Sequence, residues 1–263
     1  MTAVALARLL VGAEIGLAAT MILAWAIQRA TGNSGWIDAC WTFGVGVFGA
    51  SLALWGGASW RAWPVALGVA IWSARLGRHI ALRTLRAGDD ARYAKLRQEW
   101  GAAAPRRLFL FLQSQALVGA GLVFCVALSA RNPAQGVRAQ DVLGFVMLAG
   151  ALVGEAMADR QLDQFKQNPA HRGGICDVGL WSRSRHPNYF FEWLVWLAYP
   201  IIAIDLSGGF VAGWLALFAP AVMYWTLRYA SGVPPLEDHM MRTRPVAFEA
   251  YRAKTPVFFP RLF

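Results

Sequence analysis

The sequence predicts an all-α integral membrane protein, a seven-transmembrane-helix bundle whose cytoplasmic loops and C-terminal tail form a cofactor site. Three observations carry that expectation. The 263 residues are 57% hydrophobic and only 15% charged, a composition that suits a polytopic membrane chain and not a soluble one. Apolar runs close to the ~20 residues needed to cross a hydrocarbon core recur from end to end. The formal net charge of +10 is concentrated in three segments that an odd number of spans places on one side of the membrane.

The expected spans are Val4–Gln28, Trp36–Leu54, Trp63–Leu82, Leu108–Ser129, Val142–Ala158, Pro187–Ile204 and Gly209–Tyr229. The first lacks a charged leader, short apolar region and cleavage pattern, so it reads as a mature helix rather than a signal peptide. The second contains Gly44-Val-Gly-Val-Phe-Gly49. This matches the letters of a dinucleotide fingerprint but has no preceding strand and lies inside an apolar run. Its small residues, like Gly12 and Gly16 in the first span, read instead as points where helices approach closely. The third span ends in Trp72, Arg75, Arg78 and His79, with Arg75 sharing a face with Arg78 and His79. Snorkelling to lipid phosphates and ligand binding are both open for these cations.

The linker after span three holds Arg83, Arg86, Arg92, Lys95, Arg97, Arg106 and Arg107, with a turn at Gly88-Asp89-Asp90. After span five come Asp159, Asp163 and Lys166 at i, i+4 and i+7, a charged stripe on a helical extension, followed by Arg172, Arg183 and Arg185. The tail adds Arg242, Arg244, Arg252, Lys254 and Arg261, whereas the opposite side has only Arg8, Arg61, Arg131 and Arg138. The positive-inside rule then puts the N-terminus outside and the C-terminus in the cytoplasm. The excess charge is read as topology plus an anionic small ligand, not as a nucleic-acid surface. Cys40, Cys125 and Cys176 have neither disulfide nor zinc spacing. No repeat or separate soluble domain is visible. The chain reads as one membrane domain, with residues 1–130 serving the substrate and 131–263 the cofactor.

Chemistry concentrates in a few places. Asp38 opens the second span. An acid at hydrocarbon is costly, and burial favours a neutral form able to give a hydrogen bond or proton to a carbonyl; a helix N-cap at the interface is the other reading. Glu14 and Glu155 are similar but more in keeping with structural roles. In His171–Trp193, Pro187 starts an apolar helix beside Arg185 and His186, which makes its N-terminus an anion site. Asn188 and Glu192 follow one turn apart on one face. The tail is too polar to span and too aromatic for disorder. It is expected to fold back as a lid, offering Arg228, Glu237, His239, Arg242 and Tyr251 to a ligand.

With Gly179-Leu-Trp-Ser-Arg-Ser-Arg-His-Pro-Asn-Tyr-Phe-Phe-Glu-Trp193, Asp159 to Lys166, the ending Tyr251 to Phe263, and Asp38 with Trp72 in view, the chain resembles the membrane steroid 5α-reductase family in its bacterial branch. The match is specific over about Gly154–Phe263 and looser before it. The wider superfamily includes isoprenylcysteine carboxyl methyltransferases and sterol C14 reductases. The resemblance implies a seven-helix fold and NADPH-dependent reduction of a Δ4-3-oxosteroid double bond. By position, it implies nucleotide contacts at Asp159, Lys166, Arg172, Asn188 and Glu192, joined by Arg86, Arg228 and His239. It also implies that Asp38 and Trp72 stand where an acid and a tyrosine hold the 3-oxo group. An indole donates a hydrogen bond but delivers no proton, so Asp38 or a water is left to supply it. The expected partners are a steroid or other apolar enone entering from the bilayer, and lipid. The competing expectations are an S-adenosylmethionine-dependent methyltransferase of a lipophilic acceptor and a non-enzymatic lipid-binding protein.

Overall fold

The computed structural model describes residues 2–55 and 59–261, and every regular element among them is helical. Helix α1 (Ala3–Thr31) is opened by Thr2, whose hydroxyl accepts from the Ala5 N–H, and closed by Gly32 at φ 70°, a left-handed stop that glycine adopts without strain. Helix α2 is Gly35–Leu54 and α3 is Ala62–Ala87. A short helix, α4 (Ala91–Trp100), is capped by Asp90, which accepts from the Arg92 N–H. Then come α5 (Ala104–Ala130), with Pro105 in its first turn, α6 (Ala139–Gln167) and α7 (Pro187–Ala203). The chain continues through α8 (Phe218–Trp225), α9 (Val233–Thr243) and α10 (Pro245–Lys254).

Four helical stretches are long and apolar enough to cross a membrane: Ala3–Thr31, Gly35–Leu54, Ala91–Ala130 and Ala139–Gln167. They contain the first, second, fourth and fifth spans expected from the sequence. The third expected span lies in α3, whose C-terminal half carries Arg75, Arg78, His79, Arg83 and Arg86. The sixth is α7, 17 residues long with Pro200 inside it. The seventh is not one α-helix: a 3-10 segment, Val211–Leu217, leads into α8, and a π turn, Thr226–Ala230, follows. Pro220 accounts for the first break. It has no N–H for the Ala216 carbonyl, and its ring crowds that carbonyl in a regular helix.

The chain divides into two compact units, Met1–Arg138 with Tyr199–Ala219, and Ala139–Ala198 with Pro220–Phe263. In the first, α2 packs against α1, α3 and α5, and α1 also packs along α5. The glycines expected to serve packing do so, with one exception. A Cβ on Gly46 would lie 2.1 Å from the Ser73 side chain, one on Gly44 would lie 2.9 Å from Thr20, and one on Gly16 would lie 2.4 Å from Phe48. Gly49 is bounded by Val69, whereas Gly12 faces open space and closes no contact.

The cations expected on the sparsely charged side have a local use. Arg131 donates to the carbonyls of Leu52, Trp55 and Ala127 at the ends of α2 and α5. Arg138 and the Asn132 amide donate to Ile202 and, respectively, to Ile204 and Ala203, at the end of α7. Fully buried Arg61 donates to Ala134 and Gly136 and stacks 4.9 Å from the Trp60 ring. Arg131, Arg138 and Asn132 supply donors to the carbonyls that helix ends leave unsatisfied. Arg61 does the same for loop carbonyls, so none of the three arginines is a free loop charge.

Candidate functional site

Asp38 lies in the first turn of α2. Its Oδ2 accepts from Arg92 at 2.5 Å and its Oδ1 from the Tyr93 hydroxyl at 2.9 Å. Asp90 holds the other edge of Arg92 at 2.9 and 3.0 Å, and Gln115 Nε2 donates to the Tyr93 oxygen at 3.1 Å. Next to this cluster, Arg97 pairs with Asp89 and donates to Ser34, while the Ser34 N–H donates to Asp89 at 2.7 Å. Burial alone would raise the Asp89 carboxyl, but the Ser34 and Arg97 contacts hold it below its ordinary value. Helix α4 is thus tied to the start of α2 by one ion pair, Arg92 with Asp38, and by the Arg97 hydrogen bond to Ser34.

The N-cap reading of Asp38 is corrected: Ser34 holds the cap position of α2, and Asp38, inside the first turn, accepts from a guanidinium and a phenol. Trp72 is fully buried, edge-on to Trp41 at 6.5 Å, and Trp41 donates to the Gln115 carbonyl. Arg92 and Tyr93 were missed because residues 83–107 read as a basic linker, and Gln115 because it lies inside the apolar span Leu108–Ser129. The available signal was Asp90 as a cap before a ten-residue amphipathic stretch.

In the second unit, α6 runs on past its apolar part and carries Asp159, Asp163 and Lys166 on a helix, as the spacing predicts. Asn188, in the first turn of α7, brings Nδ2 to 3.5 Å from Asp159 Oδ1, and its own Oδ1 is buried with no hydrogen-bond partner. Glu192 is one turn further on and buried. Its Oε1 accepts from the Trp196 indole at 2.8 Å. On another side of α7, Phe190 and Trp193 pack with Tyr224, Phe258 and Phe259 edge to face and stacked, at centroid distances of 5.2–6.3 Å.

The tail folds back, as expected, and is stitched to the loop before α7. Arg185 grips Glu237 through Nε at 2.7 Å and Nη2 at 3.3 Å, donates to the Thr255 carbonyl at 2.7 Å, and gives its backbone N–H to Pro256. Ser184 donates to the Phe258 carbonyl, and the Tyr251 hydroxyl donates to the Trp181 carbonyl at 2.5 Å. His186 lies 3.2 Å from Glu237 and stacks on Tyr189. Burial alone would raise the Glu237 carboxyl. Hydrogen bonds from His186 and Arg185, with the Arg185 charge, outweigh that and bring it to about 2. Burial, against the pull of Glu237, lowers His186.

The family model described as a protein of unknown function, DUF1295, matches residues 24–255. The chain belongs to the DUF1295 family. That family includes steroid 5-alpha-reductase-like membrane proteins. No curated protein and no solved structure matches the chain.

In this DUF1295 chain the expected site residues fall into distinct groups. Asp38, Trp72 and Arg86 belong to the first unit and the others to the second. Within the second unit Asp159, Asn188 and Glu192 form one polar face. Arg185, His186, Glu237 and Tyr251 are brought together, but as tail-docking contacts; Glu237 fills the place beside Arg185 and His186 where an anion was expected. Lys166, Arg172, His239 and Arg242 are exposed on the surface. Arg228 sits in the π turn, 4.9 Å from the Tyr229 ring, and its charge reaches His186.

Proposed function

We propose that this DUF1295 member is a membrane reductase that uses NADPH to saturate the C=C bond of an apolar enone, most closely a Δ4-3-oxosteroid. The observation that carries the reading is the face of half-buried Asp159 and Asn188 with buried Glu192, where the Asn188 Oδ1 atom itself is buried. A buried amide oxygen left without a donor costs about 1–3 kcal/mol, and Asn188 Oδ1 is such an atom. A ligand carrying an amide N–H satisfies it, and Asp159 beside it accepts a second N–H or a hydroxyl hydrogen. The residues fit a nicotinamide nucleotide on that ground. Exposed Lys166 and Arg172 and half-buried Arg228 are the cations suited to its phosphates. When bound, the nucleotide supplies a hydride.

The chain's own residues then divide the work. Asn188 and Asp159 orient the reactive ring by its amide. Glu192, anchored by Trp196, adds a carboxylate on the same helix face. In the first unit the Tyr93 hydroxyl gives its proton to Asp38 and accepts from Gln115, a closed polar cluster to which no step is assigned. The proposal includes seven spans, with the N-terminus outside and the C-terminus cytoplasmic. The capping use of Arg61, Arg131 and Arg138 supports that orientation, because it removes the main exceptions to the positive-inside pattern.

The test is turnover by the purified protein in detergent, with NADPH and a Δ4-3-oxosteroid. Asn188→Leu and Glu192→Ala each lower kcat/KM by about 100-fold or more, as loss of a cofactor-orienting contact does. Full activity in both variants, or S-adenosylmethionine co-purifying in place of NADPH, contradicts the reading.

A further inference from the structure

At the cytoplasmic-facing end assigned to α1 and α5, a cavity of about 190 Å³ is lined by Gln28, Arg29, Arg97, Ala104, Pro105 and Leu108. The two helices are pinned there by the Trp25 indole, which donates to the Pro105 carbonyl at 3.1 Å and meets the Phe109 ring edge-on at 5.7 Å. Gln28 is 7% exposed, and its carboxamide makes no hydrogen bond to any described residue. A buried carboxamide in that state is poised for a ligand rather than for the fold. Arg29 is exposed, stacks 5.7 Å from the Trp25 ring, and meets no carboxylate among the described residues. Arg97, by contrast, has its charge met by Asp89 and closes the wall without adding net charge.

The wall opposite Gln28 and Arg29 is the first turn of α5, followed at once by exposed Arg106 and Arg107. One guanidinium that meets no carboxylate among the described residues, and one carboxamide free of partners among them, are the donor set for a single negative charge with several acceptor oxygens. Leu108 and Ala104 make the remainder of the lining apolar, and a tryptophan with an arginine one turn later marks a helix end at a lipid headgroup level.

We infer that this cavity binds a phosphate group, delivered either by the headgroup of an anionic phospholipid or as free phosphate. Gln28 and Arg29 hold the oxygens, and the apolar side accommodates the glycerol end of a lipid. The site is independent of the reductase reading. It uses none of the residues assigned to substrate or cofactor.

The experiment is native mass spectrometry of the full chain in detergent, offered equimolar phosphatidylglycerol and phosphatidylcholine, with inorganic phosphate as a separate arm. Wild type retains phosphatidylglycerol roughly tenfold over phosphatidylcholine, a factor worth one charge-assisted contact; Arg29→Gln loses the preference and Arg29→Lys keeps most of it. Arg29 is exposed, so Arg29→Gln folds. A signal from inorganic phosphate alone, abolished by Arg29→Gln, supports the site and names free phosphate as its source. Equal retention of both lipids with no phosphate binding overturns the inference, as does a preference that Arg29→Gln and Gln28→Leu leave unchanged.

Discussion

Glu237 and His186 face one another in the tail clamp, and the two titrate with the same consequence for stability. The Glu237 carboxyl sits at about 2 against an ordinary 4.5. Its contribution is complete above 4.5 and is lost as the pH falls toward about 2. His186 is also depressed, chiefly by burial, from an ordinary 6.5. The unfolded chain takes up that proton below 6.5 while the folded one resists it, so acid again weakens the fold. Thermal unfolding in detergent, followed from neutral to acid pH, is expected to show a falling midpoint below 6.5 and a steeper fall below 4.5. Glu237→Gln flattens the lower limb. At neutral pH it costs on the order of 3 kcal/mol, because Arg185, only 10% exposed, is left without its partner. At the Asp38 cluster, Tyr93→Phe removes the hydroxyl that donates to Asp38 and is expected to cost about 1–3 kcal/mol of stability in thermal unfolding in detergent. An unchanged midpoint removes that bond from the account of the cluster.

Helix α2 shows what its glycines are for. Gly46→Val places atoms inside the space of Ser73 and is expected to abolish folded protein in size-exclusion of detergent extracts, while Gly12→Ala, with nothing within 4 Å, is neutral or gains about 1 kcal/mol of helix propensity. The two glycines look alike in an apolar run, and only the position of neighbouring helices separates them. Element boundaries were more legible. Apolar runs located α1, α2, α5 and α7 to within a few residues, because burial in lipid and helix length impose the same ~20-residue scale; α6 runs on to Gln167, well past the expected apolar end at Ala158. What escaped were features decided by a few local contacts. Pro220 breaks the last rod into 3-10, α and π pieces. Asp90 starts α4 inside a linker whose seven cations masked its helical pattern. The candidate site divides the same way. Asp159, Asn188 and Glu192 were visible from spacing on two helices, whereas the Tyr93 phenol beside Asp38 and the capture of Arg185 by Glu237 depend on pairings distant in sequence.

At the scale of the molecule, composition and charge asymmetry carry the membrane assignment, and four helices are long and apolar enough to cross it. The proposed topology is checked by cysteine labelling in intact cells and in inverted vesicles. A single added cysteine at exposed Arg252 is expected to react only from the cytoplasmic side, and labelling from outside rejects the orientation. Family membership leaves the reaction unnamed, so the central claim rests on what the half-buried Asn188 face receives and what is transferred there. Deuterium tracing reads that transfer most directly. With NADPH deuterated at the hydride-donating carbon and a Δ4-3-oxosteroid as acceptor, the reduced product is predicted to carry one deuterium in mass spectrometry, and Asn188→Leu to lose it together with turnover. A product free of label, or an acceptor that gains a methyl group from S-adenosylmethionine under the same conditions, contradicts the assignment.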